Sequence, residues 1–523
     1  LVIAWPDGGK ETLFDIKTNQ TLNLSPSKDL VYQSKVDFNE ENEKLFQKVD
    51  SIPGFSYTHK ENSYNDFDRQ KLIPYRISDK TPSVAIGDLN NDGLDDIFIG
   101  NPRGVEANIF IQKNNGFEKV KFPFLEETRN LEITDVAIAD FNGDGLNDIF
   151  YVTGGGEFSG PMEVLKDACW TYINGSWKKL ELPEYYSSGG IIKPADYDKD
   201  GDLDVFIGGY AIAGDYGRIP KSFLLENLGG KFRIVANKSL ENSGMITDAV
   251  WNDINKDDYP ELILVGEWMS PKIFRNELGK LSEVPDESLY DLTGLWQNIE
   301  AFDIDNDGDS DYLLGNWGLN SKFKASEGSP LRMYYGDLDN NGSTETVLAN
   351  KKDGKYFTLN GLDELVSQMN YLRKKFPSYG EFSGKTVEEI LGSEAIERST
   401  ILEVKYLESG YLRNDKGKFK FIPFNKNLQF APINAILVSE EIDSSKNMAV
   451  LGGNYFGVTP YHGAFGAFPG ALIKKGPEIL SGPEVGFDFL GKALRRLEVF
   501  KINGESFLIG FLNDQKPAIY KIK

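Results

Sequence analysis

Asp88-Leu-Asn-Asn-Asp-Gly-Leu-Asp-Asp96 stands between Ser83-Val-Ala-Ile-Gly87 and Ile97-Phe-Ile-Gly100, an acidic nine-residue loop joining two short apolar strands. The design returns at 140–148, 196–204 and 303–311, and more loosely at 253–261, where Asp258 replaces the glycine, and at 337–345. Every copy keeps side-chain oxygen at positions 1, 3, 5 and 9. Turns favour Asp, Asn and Gly without any metal. Three or four carboxylates crowded into each of six turns in one register, however, need a cation to be tolerable.

Alternate side-chain oxygens plus a backbone carbonyl near position 7 supply the six or seven hard ligands that Ca²⁺ prefers. The expected ligand sets are Asp88, Asn90, Asp92, Leu94 and Asp96; Asp140, Asn142, Asp144, Leu146 and Asp148; Asp196, Asp198, Asp200, Asp202 and Asp204. The other three are Asp253, Asn255, Asp257, Tyr259 and Glu261; Asp303, Asp305, Asp307, Asp309 and Asp311; Asp337, Asp339, Asn341, Ser343 and Glu345. An EF-hand would close with an acid at position 12 and lie between helices. Position 12 here is Ile99, Tyr151, Ile207, Leu264, Leu314 or Leu348, within runs that read as buried strands. The expected cofactor is therefore Ca²⁺ at about six structural sites, each favouring the folded hairpin by mass action.

The first Asp of successive loops is separated by 52, 56, 57, 50 and 34 residues, the range of propeller blades rather than of shorter solenoid repeats. Outer hairpins recur, as in Asn108-Ile-Phe-Ile followed by Asn114-Asn-Gly and Phe117-Glu-Lys-Val, and in Tyr411-Leu-Arg-Asn-Asp-Lys-Gly-Lys-Phe419. These units resemble the FG-GAP or VCBS repeats of integrin-type β-propellers over roughly 80–523. The resemblance implies an all-β fold with the metal loop between the first two strands of each blade. Seven blades are expected, with eight as the alternative, because the 34-residue interval leaves open whether Leu331-Arg-Met-Tyr-Tyr335 is a first or a third strand. A seventh unit, 436–454, has Ile442 and Met448 where oxygens should be, so no calcium is expected there. Leu497 to Lys523 holds three strands, and an N-terminal strand from within 31–79 is expected to complete that blade.

Within the propeller, 357–400 has helical spacing at Leu362, Leu365, Met369, Leu372 and Phe376, and Thr386-Val-Glu-Glu389 reads as a capping box. A helical insertion on the rim is expected, with Arg373, Lys374 and Lys375 exposed. Residues 1–30, with Leu1-Val-Ile-Ala-Trp-Pro-Asp-Gly-Gly-Lys-Glu-Thr-Leu13, are similar to the end of an ASPIC/UnbV domain, so the chain reads as the tail of a larger protein. That order of domains resembles large Bacteroidetes VCBS/ASPIC proteins. It implies a place on the cell surface, at the extracellular face of the outer membrane or secreted, beside SusC/SusD-type transporters.

A formal charge of −23 argues against a nucleic-acid partner, because phosphate binding needs clustered Lys and Arg. No 18-residue apolar run exists, so no membrane-spanning helix is expected. The single Cys169 excludes an internal disulfide and reads as a core residue.

Loops following the second strands carry a glycine and then aromatics: Phe158, Tyr210, Trp268, Trp317 and Tyr455. With Tyr461, His462, Arg103 and Arg218 they are the candidate ligand face for a glycan or protein partner, unless they wedge between blades. No Ser/His/Asp set, zinc signature or phosphate loop appears, and no catalytic residue is assigned. The reading is thus a calcium-stabilised binding or scaffold propeller. The alternative, an extracellular polysaccharide-active enzyme, rests on analogy with calcium-bearing lyases and would use Tyr461, His462 and Arg103.

Overall fold

Gly87 pairs with Asp96 in the antiparallel register Ser83↔Gly100 to Gly87↔Asp96, so the first acidic loop is the tip of a hairpin. Asp96–Gly100 is buried along its whole length. A strand covered on both faces needs no polar alternation, which is why its sequence is a continuous apolar run. The computed structural model describes residues 2–4, 9–17, 20–22, 24–25, 31–32 and 44–523.

Sheet I continues through Asn108–Lys113 and Gly116–Val120. The same antiparallel order of four strands builds sheet II from Ile133–Ala139, sheet III from Gly189–Ala195, sheet VI from Ile433–Val438 and sheet IV from Met245–Asn252, where Gly294–Leu295 adds a fifth strand beside the second. Sheet V joins Asn298–Ala301 and Tyr312–Gly315 to the distant hairpin Gly410–Asp415 and Lys418–Pro423. Sheet VII takes Leu494–Ile502, Glu505–Leu512 and Ala518–Ile522 from the end of the chain and Phe46–Val49 from near its beginning. The first strands of sheets I to VII pack in that order, and that of VII returns against that of I. The protein is an all-β propeller. The ring-closing strand expected within 31–79 is Phe46–Val49, paired Phe46↔Ile522 to Val49↔Ile519.

Apolar side chains fill the spaces between adjacent sheets. Between VII and I, Phe500, Phe507, Ile509 and Phe511 pack on Ile97, Ile99 and Phe110. The glycine that ends many second strands has a steric cause: a Cβ on Gly315 would lie 2.1 Å from the Ile433 carbonyl oxygen of sheet VI, and one on Gly453 1.8 Å from that of Pro432.

The sixth acidic loop is placed differently from the other five. Leu331–Gly336 and Glu345–Lys352, with Lys355–Thr358 and Thr400–Val404, form a separate sheet inserted between the second and third strands of sheet V. The short 34-residue interval is therefore an inserted hairpin, and Leu331–Gly336 belongs to no ring sheet. The helical insertion consists of short helices, including Leu362–Gln368, Leu372–Lys375 and Val387–Leu391, the last with its capping box at Thr386 and Glu389. They pack on the inserted sheet through Leu362, Leu365, Met369, Val387 and Ile390 against Tyr334, Val347 and Tyr356. Arg373, Lys374 and Lys375 are exposed.

Residues up to Leu45 form a compact unit of their own. Val2–Ala4, Gly9–Thr12 and Val31–Tyr32 make a three-stranded antiparallel sheet there. Much of the stretch likened to an ASPIC/UnbV end, including Trp5 to Gly8 and Asn19, lies outside the described residues. No helix among the described residues is long and apolar enough to cross a membrane.

Candidate functional site

The six acidic loops are one structural object. At position 4 the backbone is left-handed in every copy (Asn91 φ 59°, Gly143 73°, Lys199 64°, Lys256 61°, Asn306 61°, Asn340 61°), and it is so again at position 6. Glycine occupies position 6 in five copies; the exception, Asp258, is held at φ 72°. The position-5 side chain accepts the N–H of position 7 in all six, from Leu94 to Asp92 at 3.0 Å through Ser343 to Asn341 at 2.7 Å. The position-9 acid accepts the N–H of position 2, as from Leu89 to Asp96 at 2.9 Å and from Leu338 to Glu345 at 2.9 Å. Several reach a third strand as well: Asp96 accepts from Gln112 N, Asp204 from Asn227 N and Asp311 from Asn414 N.

That buried position-9 carboxyl sits beside the other acids of its loop. Burial, then neighbouring carboxylates, push Asp96, Asp148 and Asp311 up to about 6 and Asp204 to about 7, against backbone hydrogen bonds that pull the other way. Glu261 and Glu345 are raised for the same reasons. Carboxylate oxygens of Asp196, Asp198 and Asp204 all lie within 4.8 Å of one another, as do those of Asp303, Asp305 and Asp311 and of Asp337, Asp339 and Glu345. The buried oxygens Asp148 Oδ1, Asp196 Oδ1, Asp202 Oδ1 and Asp339 Oδ1 have no hydrogen-bond donor. Clustered, unpartnered hard oxygens fit a divalent cation. The fifth loop is also touched by base: Lys475 lies 3.1 Å from Asp303 and Lys256 3.0 Å from Asp309. In sheet VI the corresponding loop buries Ile442, and Asp443 spends a carboxylate oxygen on Asn447 N at 2.7 Å.

On the opposite side of the ring the aromatic residues are arranged otherwise than expected. Tyr210, Trp268, Trp317 and Tyr455 are buried in one cluster with Ile73, Tyr75, Ile77 and Tyr216. The chain's own segment before sheet I covers them. Tyr75 stacks on Trp317 at 4.3 Å, and Tyr455 Oη donates to the Arg76 carbonyl at 2.6 Å. Glu267 anchors the cluster from below, accepting from Tyr210 at 3.0 Å and Tyr216 at 2.8 Å. These four rings thus present no open stacking surface. Tyr75, Tyr216 and Glu267 escaped sequence reading; the alternation Leu72-Ile-Pro-Tyr-Arg-Ile77 was the one local signal of a segment that packs.

Phe158, Tyr461 and His462 remain accessible. Tyr461 is 51% exposed, with Lys322 Nζ 3.1 Å above its ring. His462 packs on Phe323, and burial followed by Lys322 lowers its pKa. Arg103 lies 5.2 Å over Phe158 and pairs with Glu157 at 2.5 Å, while Arg218 pairs with Asp215. Among the described residues no contact brings Arg103 to Tyr461 or His462. His59 is a satisfied core residue: it bonds Thr81, accepts from Asp514 N, and is pushed down to about 4, chiefly by burial. Cys169 is buried, and its thiol is pushed up by burial.

Residues 77–151 and 253–314, which hold four of the acidic loops, match the family described as FG-GAP-like repeat. Those two segments are similar to FG-GAP-like repeats. Solved structures similar in fold include the V. cholerae biofilm matrix protein Bap1, at 10% identity, 92% of this chain, 91% of that chain and a TM-score of 0.39. YCF48 from Cyanidioschyzon merolae is similar at 9% identity, 87% and 98% coverage and a TM-score of 0.39. Saccharomyces cerevisiae Sqt1 stands at 10%, 86% and 100%, and 0.40. No curated protein matches.

Proposed function

We propose that this chain is a seven-bladed, calcium-stabilised propeller serving as a binding or scaffold module at the cell surface, where it engages a protein or a glycan. Sheets I to VII are taken as the blades. Five ions would lie in blades I to V and a sixth in the inserted sheet, held by the six ligand sets named above; bound calcium supplies positive charge to crowded carboxylates and locks the hairpin tips. The observation that carries this reading is the uniform loop geometry, which gathers the oxygens of three acids within 4.8 Å of one another and leaves buried carboxylate oxygens without a hydrogen-bond donor. Carboxylates so clustered act as fasteners rather than as acid/base pairs.

The N-terminal unit is assigned to the end of an ASPIC/UnbV-like domain, and the setting to an outer-membrane uptake assembly with SusC/SusD-type partners. The lyase alternative lacks comparable support, since Arg103 is engaged with Glu157. Affinity co-purification from the solubilised native envelope in calcium tests the proposal. Stoichiometric recovery of a barrel and a lipoprotein supports it, and depolymerisation of an acidic polysaccharide by the purified chain overturns it.

A further inference from the structure

Two cavities lie where the first strands of the ring converge. The larger, about 240 Å³, is lined by residues from all seven of those strands, Val84 of sheet I through Glu498 of sheet VII. The smaller, about 50 Å³, shares Arg495 and Arg496 with it and sits at the beginnings of the strands, closed by Asp79 and Lys80. This is the side opposite the acidic loops, which join the other ends of the same strands.

The smaller cavity has more hydrogen-bond donors than acceptors. Arg495 is 5% exposed. Asp79 Oδ1 lies 2.8 Å from its Nη2, an ion-pair distance, yet Nε, Nη1 and Nη2 have no aligned hydrogen-bond acceptor. Lys80 Nζ rests 3.7 Å over the Tyr210 ring and pairs with no carboxylate among the described residues. Burial, with Arg495 and Arg496 acting in the same direction, lowers Lys80 to about 8 against the pull of Glu267 and Asp79. The nearby acids are already occupied. Asp79 accepts from Asn513 at 2.7 Å, Asp135 holds Arg496 at 3.1 Å, and Glu267 holds Tyr210, Tyr216 and Gln297.

A buried guanidinium with idle N–H groups is costly unless an acceptor reaches it. We propose that the 50 Å³ cavity is a binding site for a single carboxylate group of a ligand, held by Arg495 and Lys80. The planar fork of arginine matches the two coplanar oxygens of a carboxylate. Asp79, Asp135 and Glu267 offset the three bases, and Glu61 adds to Asp79 beside Arg495, so the site has donors to give but no surplus positive charge, which selects one singly charged group over sulfate or phosphate. The volume admits the acid group alone, so the rest of an acidic sugar or peptide would extend into the larger cavity. This assigns a site and a ligand chemistry beyond the general binding role, and it does not depend on calcium.

Titration of the whole chain with sodium acetate, galacturonate, sulfate and neutral methyl galactoside, against sodium chloride at equal ionic strength, tests the assignment by calorimetry. Acetate and galacturonate should bind, the glycoside should not, and Lys80→Gln should weaken acetate by about tenfold, the loss of one charge-assisted bond. Arg495→Gln should abolish binding, but it removes a buried charge; Lys80→Gln, at a half-buried position, is therefore the decisive variant. The proposal falls if acetate gives no more response than chloride, if Lys80→Gln binds acetate like the parent, or if sulfate binds more tightly than acetate.

Discussion

Asp198→Asn separates a cation-binding loop from a plain turn, because only in a cation-binding loop does the sign of its effect reverse when calcium is added. Asn keeps the oxygen that accepts Asp200 N at 3.3 Å, so the turn hydrogen bond survives. What changes is charge. Asp198 lies with Asp196 and Asp204 inside a 4.8 Å cluster, where each ionised pair costs about 0.9 kcal/mol at the dielectric of water and about 3–4 kcal/mol at an effective value near 20. Asp204 stands at about 7 and is only partly ionised at neutral pH, which caps the relief. With EGTA the variant should therefore be more stable than the parent by about 1 kcal/mol. With calcium at about 10 mM and a dissociation constant of about 10⁻⁴–10⁻³ M, the parent gains about 1.4–2.7 kcal/mol at this site, and the variant forfeits most of it. Urea midpoints of both proteins in both buffers give the crossing directly. Asp443→Asn, in the ligand-poor loop of sheet VI, should show no calcium dependence of its effect. If Asp198→Asn shifts the midpoint equally with and without calcium, the cation reading of the loop is refuted.

Tyr75→Ala empties the space between Trp317, Tyr216 and Tyr455 and should cost about 3–5 kcal/mol by urea denaturation, whereas Tyr75→Phe should cost far less. Asp258→Gly relieves a left-handed residue at φ 72° and should leave stability unchanged or raise it by about 1 kcal/mol; a clear loss in the melting midpoint would contradict that. Glu300 and Glu498 are raised from 4.5 to about 7, by burial above all, so the folded chain binds protons there that the unfolded chain has released. Their contribution is full below about pH 4.5 and lost as pH rises through about 7. In excess calcium, which keeps the loop acids ionised, Glu300→Gln should flatten the fall in urea midpoint between pH 5 and 8, and an unchanged slope would contradict the assignment.

The loops were legible because each demand is local: oxygens at alternate positions and left-handed backbone at positions 4 and 6 are written into nine residues. The host sheet of a loop is not local. Leu331–Gly336 has the pattern of any first strand, and only the pairing of Tyr312–Gly315 with Gly410–Asp415 shows that it lies in an insertion. Phe46–Val49 is too short to stand out; its role follows from the three strands at the other terminus that lack a fourth. Likewise, sequence spacing brings Tyr210, Trp268, Trp317 and Tyr455 to one side of the ring, but nothing in it says that Tyr75 returns to cover them.

That cover changes where recognition can occur. Phe46–Val49 ties the start of the chain to the last sheet, and Tyr75 with Arg76 ties the next segment to Trp317 and Tyr455 across the ring, so both act on the same closure. The acidic loops fasten the other ends of the strands. A surface already spent on holding the ring together cannot be released to a partner without loosening it, and the buried aromatic cluster is such a surface. The groups that closure leaves accessible are Tyr461 with Lys322 and Phe158, whose neighbour Arg103 is held by Glu157; Arg495 and Lys80 keep idle donors beside the covered rings of Tyr455 and Tyr210. All three sets pair an aromatic ring with a cation, since Arg495 itself lies 4.9 Å over Tyr455. Of these rings only Tyr461 and Phe158 offer a face to a ligand, whereas Arg495 and Lys80 offer donors to an acid group alone.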